Sequence, residues 1–280
     1  MLRLNERTQP MSYPAALLAI FTLLFLITAV IVYYRARQRR MLLEQLRTMP
    51  FPDGWRQYLE RTVHYPLLDE HARVHIERSV LRFVHTKAFS GVGLDVTGEM
   101  KAVIAFYACL MVRRRPEIYC YPTLQSVIVY ADDFVVDELH EDGGIVSEGR
   151  SVLDGQSSHD TVVLSWPDVE AEAFHSSEYN VVIHEFAHIL DFEDGLSDGF
   201  PLMPDAMSVQ WEHVFAHEYR ALKKALGHGR LSEKYRLIGE YAATNEAEFF
   251  AVVSERYFMQ PEQLEHHFPR LFALLAAYYG

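Results

Sequence analysis

The residues with the most distinctive chemistry are His184, Glu185 and His188, within the run Val181-Val-Ile-His-Glu-Phe-Ala-His-Ile-Leu190. Residues four apart lie on one face of a helix, so imidazoles at 184 and 188 can reach a single ion. The Glu185 carboxylate faces the adjoining side, where it can take a proton from water and hand it to a leaving amine. Imidazole and carboxylate ligands suit one catalytic Zn2+, which leaves a position for water and brings that water's pKa to about 7. The chemistry this pattern fits is metal-assisted hydrolysis with Glu185 as general base. Five residues alone also occur by chance, so the flanks matter. Val181, Val182, Ile183, Ile189 and Leu190 place the motif in a buried helix, where three polar side chains are costly unless each has a partner. Two other pairs of histidines four apart act as an internal control. His71/His75 and His213/His217 are followed by Ala72 and Val214 rather than Glu, and both read as ordinary exposed or half-buried histidines.

A catalytic zinc site needs a third protein ligand, and two candidates are open. Asp194 lies ten residues after His184, close enough to serve if the chain turns sharply in between. The turn position is Asp191, which adopts a left-handed conformation less readily than glycine. The distant candidate is Glu248, which opens the apolar run Phe249-Phe-Ala-Val-Val253 and needs a reason to be there. Thr244 is the expected N-cap of that helix. Glu246 competes, but a carboxylate near a helix start also has a plain role against the dipole. The two glutamates are about 200° apart on the helical wheel, so only one can face the ion.

The elements that must position these residues follow from hydrophobic patterning. Met11 to Tyr34 carry no charge, and an apolar helix of that length crosses a core of about 30 Å. Tyr33 and Tyr34 end it at headgroup level, and Arg35, Arg37, Arg39 and Arg40 follow against Arg3 and Arg7 on the other side. That bias predicts a single-pass anchor in the inner (cytoplasmic) membrane with the large C-terminal part in the cytoplasm. The expected boundaries are an N-terminal tail at 1–12, a transmembrane helix at 13–34, a basic juxtamembrane connector at 35–54 and one domain at 55–280. Within the domain, helical spacing predicts helices over Leu67–Thr86 and Thr97–Arg113. Strands are predicted at Ser126–Tyr130, Asp133–Asp137 and Thr161–Trp166, with turns at Gly143-Gly144 and Asp154-Gly155. From Glu178 the pattern is helical almost to the end. Helices, then a small sheet, then helices gives an α+β class. A net charge of −12 argues against nucleic acid as a direct partner. Two cysteines, Cys109 and Cys120, exclude a disulfide-dependent scaffold and read as reduced thiols.

Three separated segments carry a family resemblance. His184–Asp191, Tyr241-Ala-Ala…Ala-Glu248-x-Phe-Ala-Val-x-Ser-Glu255, and Gly155-Gln-Ser157 with Val163-Leu-Ser-Trp166 together resemble the Mlc titration factor A family of zincin-type metallopeptidases, over roughly residues 50–279. The resemblance implies a zincin-like domain with a small mixed sheet, an active-site helix and a mostly helical C-terminal part. It implies His184, His188 and Glu248 as zinc ligands, Glu185 as general base, and a Tyr241 hydroxyl directed at the developing oxyanion. Glu255 and Asp191 would support the ligands, and the strand at 161–166 would be an edge able to hold an extended peptide. The implied partners are a peptide or protein substrate and a transcriptional repressor of sugar-uptake genes. The apolar N-terminal segment departs from the family pattern.

Overall fold

Length and apolarity build the first element. In the computed structural model of the chain, residues 13–115, 120–132, 160–227 and 231–280 are described. Helix α1 (Tyr13–Thr48) has 36 residues, about 54 Å at about 1.5 Å per residue. Its best 18-residue window has a mean hydropathy of 2.9, and none of that window is buried. The Thr22 and Thr28 hydroxyls donate to the carbonyls of Leu18 and Leu24, so these polar atoms are satisfied within the helix, as apolar surroundings require. Among the described residues, α1 is the one helix long and apolar enough to cross a membrane. It continues without a break through Arg35–Arg40 and stops ahead of Pro50 and Pro52.

The chain divides into two units, Met1–Pro50 and Phe51–Gly280. The second begins with α2 (Asp53–Leu59) and α3 (Glu70–Thr86), the latter capped by the Asp69 side chain on Ala72 N. Helix α4 (Gly98–Met111) starts from a Thr97 cap; beyond Lys101 it is apolar on every face, and residues 102–111 are all buried, as such a pattern demands. Strands β1 (Ala88–Val92), β2 (Ser126–Tyr130) and β3 (Thr161–Ser165) form a sheet in that order. Val127 and Val129 on β2 are buried beside Val162 and Leu164 on β3. All three described strands pair in parallel, where a mixed sheet was expected. The strand expected at 133–137, the turns at 143–144 and 154–155, and the 155–157 motif lie outside the described residues. β1 was not anticipated from the sequence.

β3 runs straight into α5 (Trp166–Phe174) through the Ser165 cap. After it come α6 (Val181–Asp191), α7 (Asp205–Gly227), α8 (Glu233–Ile238), α9 (Glu246–Met259), α10 (Pro261–His267) and α11 (Pro269–Tyr279). Helix α6 packs on α4, β3 and most extensively on α9. Phe186 of α6 meets Phe83 and Tyr121 on one side. Behind α9, Trp211 and Phe215 of α7 pack on Phe249 and Phe250. The two helices therefore cross inside the core, with little freedom to shift without opening cavities.

Candidate metal centre

The start of α6 is fixed before its histidines are reached. Asn180 is extended and its side chain accepts from Ile183 N at 3.1 Å. Glu172 of α5 accepts from Val181 N at 2.5 Å. Two of the donors orphaned at a helix start are thus satisfied. One turn on, His184 is buried and His188 nearly so, with their Nε2 atoms 3.2 Å apart.

Helix α9 supplies the third group. Its N-cap is Asn245, whose side chain accepts from Glu248 N at 2.8 Å, and not Thr244 as the sequence suggested. Thr244 has helical backbone angles and closes the preceding 3-10 turn by donating to Tyr241 O at 2.7 Å. This phasing leaves Glu246 exposed and turns Glu248 inward to 7% exposure. Its Oε2 lies 3.2 Å from His184 Nε2 and its Oε1 3.5 Å from His188 Nε2. One ligand atom from each of His184, His188 and Glu248 falls within 4.8 Å of the others.

Glu255, two turns beyond Glu248, reaches the opposite side of the same imidazole. Its Oε1 is 2.5 Å from His184 Nδ1, and its Oε2 accepts from Asn180 N at 3.3 Å. Two carboxylates therefore bracket His184. Burial alone would lower its pKa, but contact with Glu248 and Glu255 outweighs this and pushes it up to about 10. Burial would likewise raise the Glu248 carboxyl, yet the two imidazoles hold it well below the usual carboxylate range.

The residues fit a metal ion. With Nδ1–H donated to Glu255, the neutral form of His184 directs its Nε2 lone pair toward Glu248 and His188, and a metal would take the place of the proton that Glu248 otherwise favours there. Glu248 Oε2 is buried and makes no hydrogen bond despite its proximity to that nitrogen. Two imidazole nitrogens facing each other beside a buried carboxylate oxygen suit a cation between them, and two His with one Glu is a donor set typical of catalytic zinc.

The other sequence candidates separate cleanly. Glu185 is partly exposed, and its charge acts on His184. Tyr241 lies in the 3-10 turn Tyr241–Ala243, with its ring 6.1 Å from that of His184. Asp194 is exposed and accepts from Leu196 N, outside the cluster. Asp191 is fully buried, but its hydrogen bond goes to Gly199 N at 3.0 Å rather than to an imidazole. Burial pushes its pKa up to about 6. Among the described residues, neither His71/His75 nor His213/His217 belongs to a group able to hold a metal. One residue with a part in this architecture went unread. Arg256, beside Glu255, is 3% exposed, and a basic residue next to an acid inside an otherwise apolar helical run was its only signal.

The sequence profile of the family described as glucose-regulated metallo-peptidase M90 matches residues 34–280. An uncharacterized protein of Synechocystis sp. is 33% identical over 247 residues, covering 84% of this chain and 86% of that protein. Mlc titration factor A of Serratia proteamaculans is 35% identical over 190 residues, 67% of this chain and 71% of its own length. The protein of that name from Klebsiella pneumoniae subsp. pneumoniae is 33% identical over 231 residues, 80% of this chain and 84% of its own.

Proposed function

The chain belongs to the M90 family of glucose-regulated metallopeptidases, and we propose that it hydrolyses peptide bonds at a single zinc site formed by His184, His188 and Glu248. The observation that carries this reading is the convergence of those three side chains from two crossing helices, with one buried Glu248 oxygen left without a hydrogen bond. Zinc bound there would polarise the scissile carbonyl and make water acidic enough to attack near neutral pH. The Glu185 carboxylate takes the proton from the attacking water and delivers it to the nitrogen of the leaving amine. The Tyr241 hydroxyl donates to the carbonyl oxygen as it gains negative charge. Glu255 keeps the proton of His184 on Nδ1, so that Nε2 stays a ligand.

In this reading residues 1–12 are a tail, 13–34 span the inner membrane, 35–54 connect, and 55–280 form the catalytic domain on the cytoplasmic side. The substrate is a peptide or protein. Binding of a repressor, suggested by the relatives named Mlc titration factor A, is compatible with catalysis. A binding-only role is less economical, because it leaves a buried His–His–Glu cluster without a purpose.

The test is metal analysis and peptide hydrolysis by the full-length protein and its Glu185→Gln variant. About one zinc per chain in both, with hydrolysis abolished in the variant, is the expected result. Hydrolysis at the wild-type rate by Glu185→Gln would refute the mechanism, and a wild-type protein that takes up no zinc would refute the site.

A further inference from the structure

The buried guanidinium of Arg256 has no role in the chemistry above. It follows Glu255 on α9 and is 3% exposed. Its described partners are carbonyls and a ring rather than a carboxylate. Nε donates to Leu237 O at 2.7 Å, and Nη1 donates to Glu178 O. The cation sits 4.4 Å from the centre of the Tyr179 ring. A charge taken out of water without a counter-ion is costly unless its donors are met, and here two main-chain carbonyls and a ring meet them.

Both carbonyls belong to segments that lead into the site. Glu178 and Tyr179 immediately precede Asn180, the cap of α6. Leu237 lies in the last turn of α8, which ends at Gly239 with φ +86 and passes through Glu240 to Tyr241. Glu255 already grips the first segment through Asn180 N, and grips His184 itself. Arg256 adds a second hold on that segment and links α9 to the last turn of α8, four residues before Tyr241. The planar fork carries Nε and Nη1 on separate atoms, so each meets its own carbonyl, one on each segment, at a fixed spacing. A lysine offers its three donors from one nitrogen, as Lys87 does to Tyr121 O and Leu124 O, and so lacks the two separated donor atoms that span these segments.

We propose that Arg256 is a positioning residue: a buried strut that fixes the Tyr241 turn and the start of the α6 helix against α9, and so sets where the Tyr241 hydroxyl stands relative to the metal ligands. This rests on the peptidase reading for its catalytic consequence, but not for the mechanical one.

The test is a cycle of Arg256→Lys and Tyr241→Phe, singly and together, in the full-length protein in detergent. Hydrogen exchange is read first and peptide hydrolysis second. Arg256→Lys keeps the charge and loses the fork. Amides in 178–181 and 237–243 should exchange about tenfold faster or more, while the centres of α6 and α9 stay protected and zinc stoichiometry is unchanged. Turnover (kcat) should fall about tenfold with KM within a factor of about two, the loss expected from misplacing a catalytic group. In the Tyr241→Phe background the same change should cost little further. Unchanged exchange at 237–243 overturns the strut. An equal loss of turnover in both backgrounds overturns its action through Tyr241. If the zinc-loaded wild type hydrolyses no peptide, the peptidase reading fails, and exchange alone decides for or against the strut. Should Arg256→Lys not fold, Arg256→Gln, which drops the charge and the fork but keeps a side-chain donor, is read the same way.

Discussion

Replacing Glu255 by glutamine should weaken zinc binding without touching any ligand. The two Glu255 oxygens accept from two buried donors, His184 Nδ1 at 2.5 Å and Asn180 N at 3.3 Å. Glutamine offers one acceptor and one donor in the same volume, so one of these N–H groups must lose its partner. If the amide oxygen stays on His184, a charge-assisted bond becomes a neutral one and Asn180 N is orphaned. If the amide nitrogen turns to His184, the imidazole must move its proton to Nε2, where it blocks the ligand position. An orphaned buried donor costs about 1–3 kcal/mol of fold stability. Loss of the carboxylate behind a ligand imidazole typically costs about 10–100-fold in metal affinity, about 1.4–2.7 kcal/mol. Solvent screens little here, because the side chains of His184 and Glu255 are each 3% exposed. Competition with a chromophoric chelator measures the affinity, and circular dichroism confirms that the variant is folded. A folded Glu255→Gln protein that binds zinc within twofold of wild type would refute the argument that this carboxylate sets the His184 tautomer.

Other consequences follow from the same geometry. Glu248→Ala should lose zinc binding outright, whereas Asp194→Asn should leave it unchanged; zinc retained by the first would return the third-ligand role to a local residue. Burial pushes the Asp191 carboxyl up to about 6 in the fold from an ordinary 3.8, so the native state holds this proton more tightly than the unfolded chain does. Its contribution therefore falls as pH rises from about 4 through about 6, by roughly 3 kcal/mol at about 1.4 kcal/mol per unit. In metal-free protein unfolded with urea, Asp191→Asn should flatten that part of the pH profile; parallel profiles would count against it. Gly199 has φ +74, and a Cβ there would stand 2.6 Å from Glu246 O. Gly199→Ala should thus cost at least about 2 kcal/mol and loosen the start of α9, seen as a lower melting temperature; an unchanged melting temperature would show that the loop can move away.

Much of this arrangement was open to reading because local rules and the tertiary structure agree. The long apolar helix from Tyr13, the buried 102–111 stretch of α4 and the His184–His188 face follow from length, period and helical geometry. β1 did not, because Ala88-Phe-Ser-Gly-Val92 has little strand propensity and is mostly exposed. It is a strand because it lies beside β2, paired from Ala88↔Ser126 to Val92↔Tyr130. The cap of α9 was displaced by one residue because Thr244 and Asn245 both suit that position. The choice falls on Asn245 because its extended backbone aims its amide oxygen at Glu248 N.

The proposed third ligand, Glu248, shows where sequence reasoning stops. The helical wheel separates Glu246 from Glu248 but does not say which side of α9 meets α6. Burial decides it, since Phe249 and Phe250 pack against α7 and leave Glu248 facing the crossing. Once that face is fixed, the seven-residue step to Glu255 gains a meaning that spacing alone did not supply. Two turns carry the second carboxylate along the same face, past His184 to its Nδ1, while the first remains at Nε2. A single imidazole is thereby gripped at both nitrogens by one helix, and Arg256 binds that helix to the two segments flanking the site. The site is therefore best understood as a property of the α6–α9 crossing. Changes that tilt α9, such as those at Gly199 or Arg256, should reach the metal ligands even though neither residue touches them.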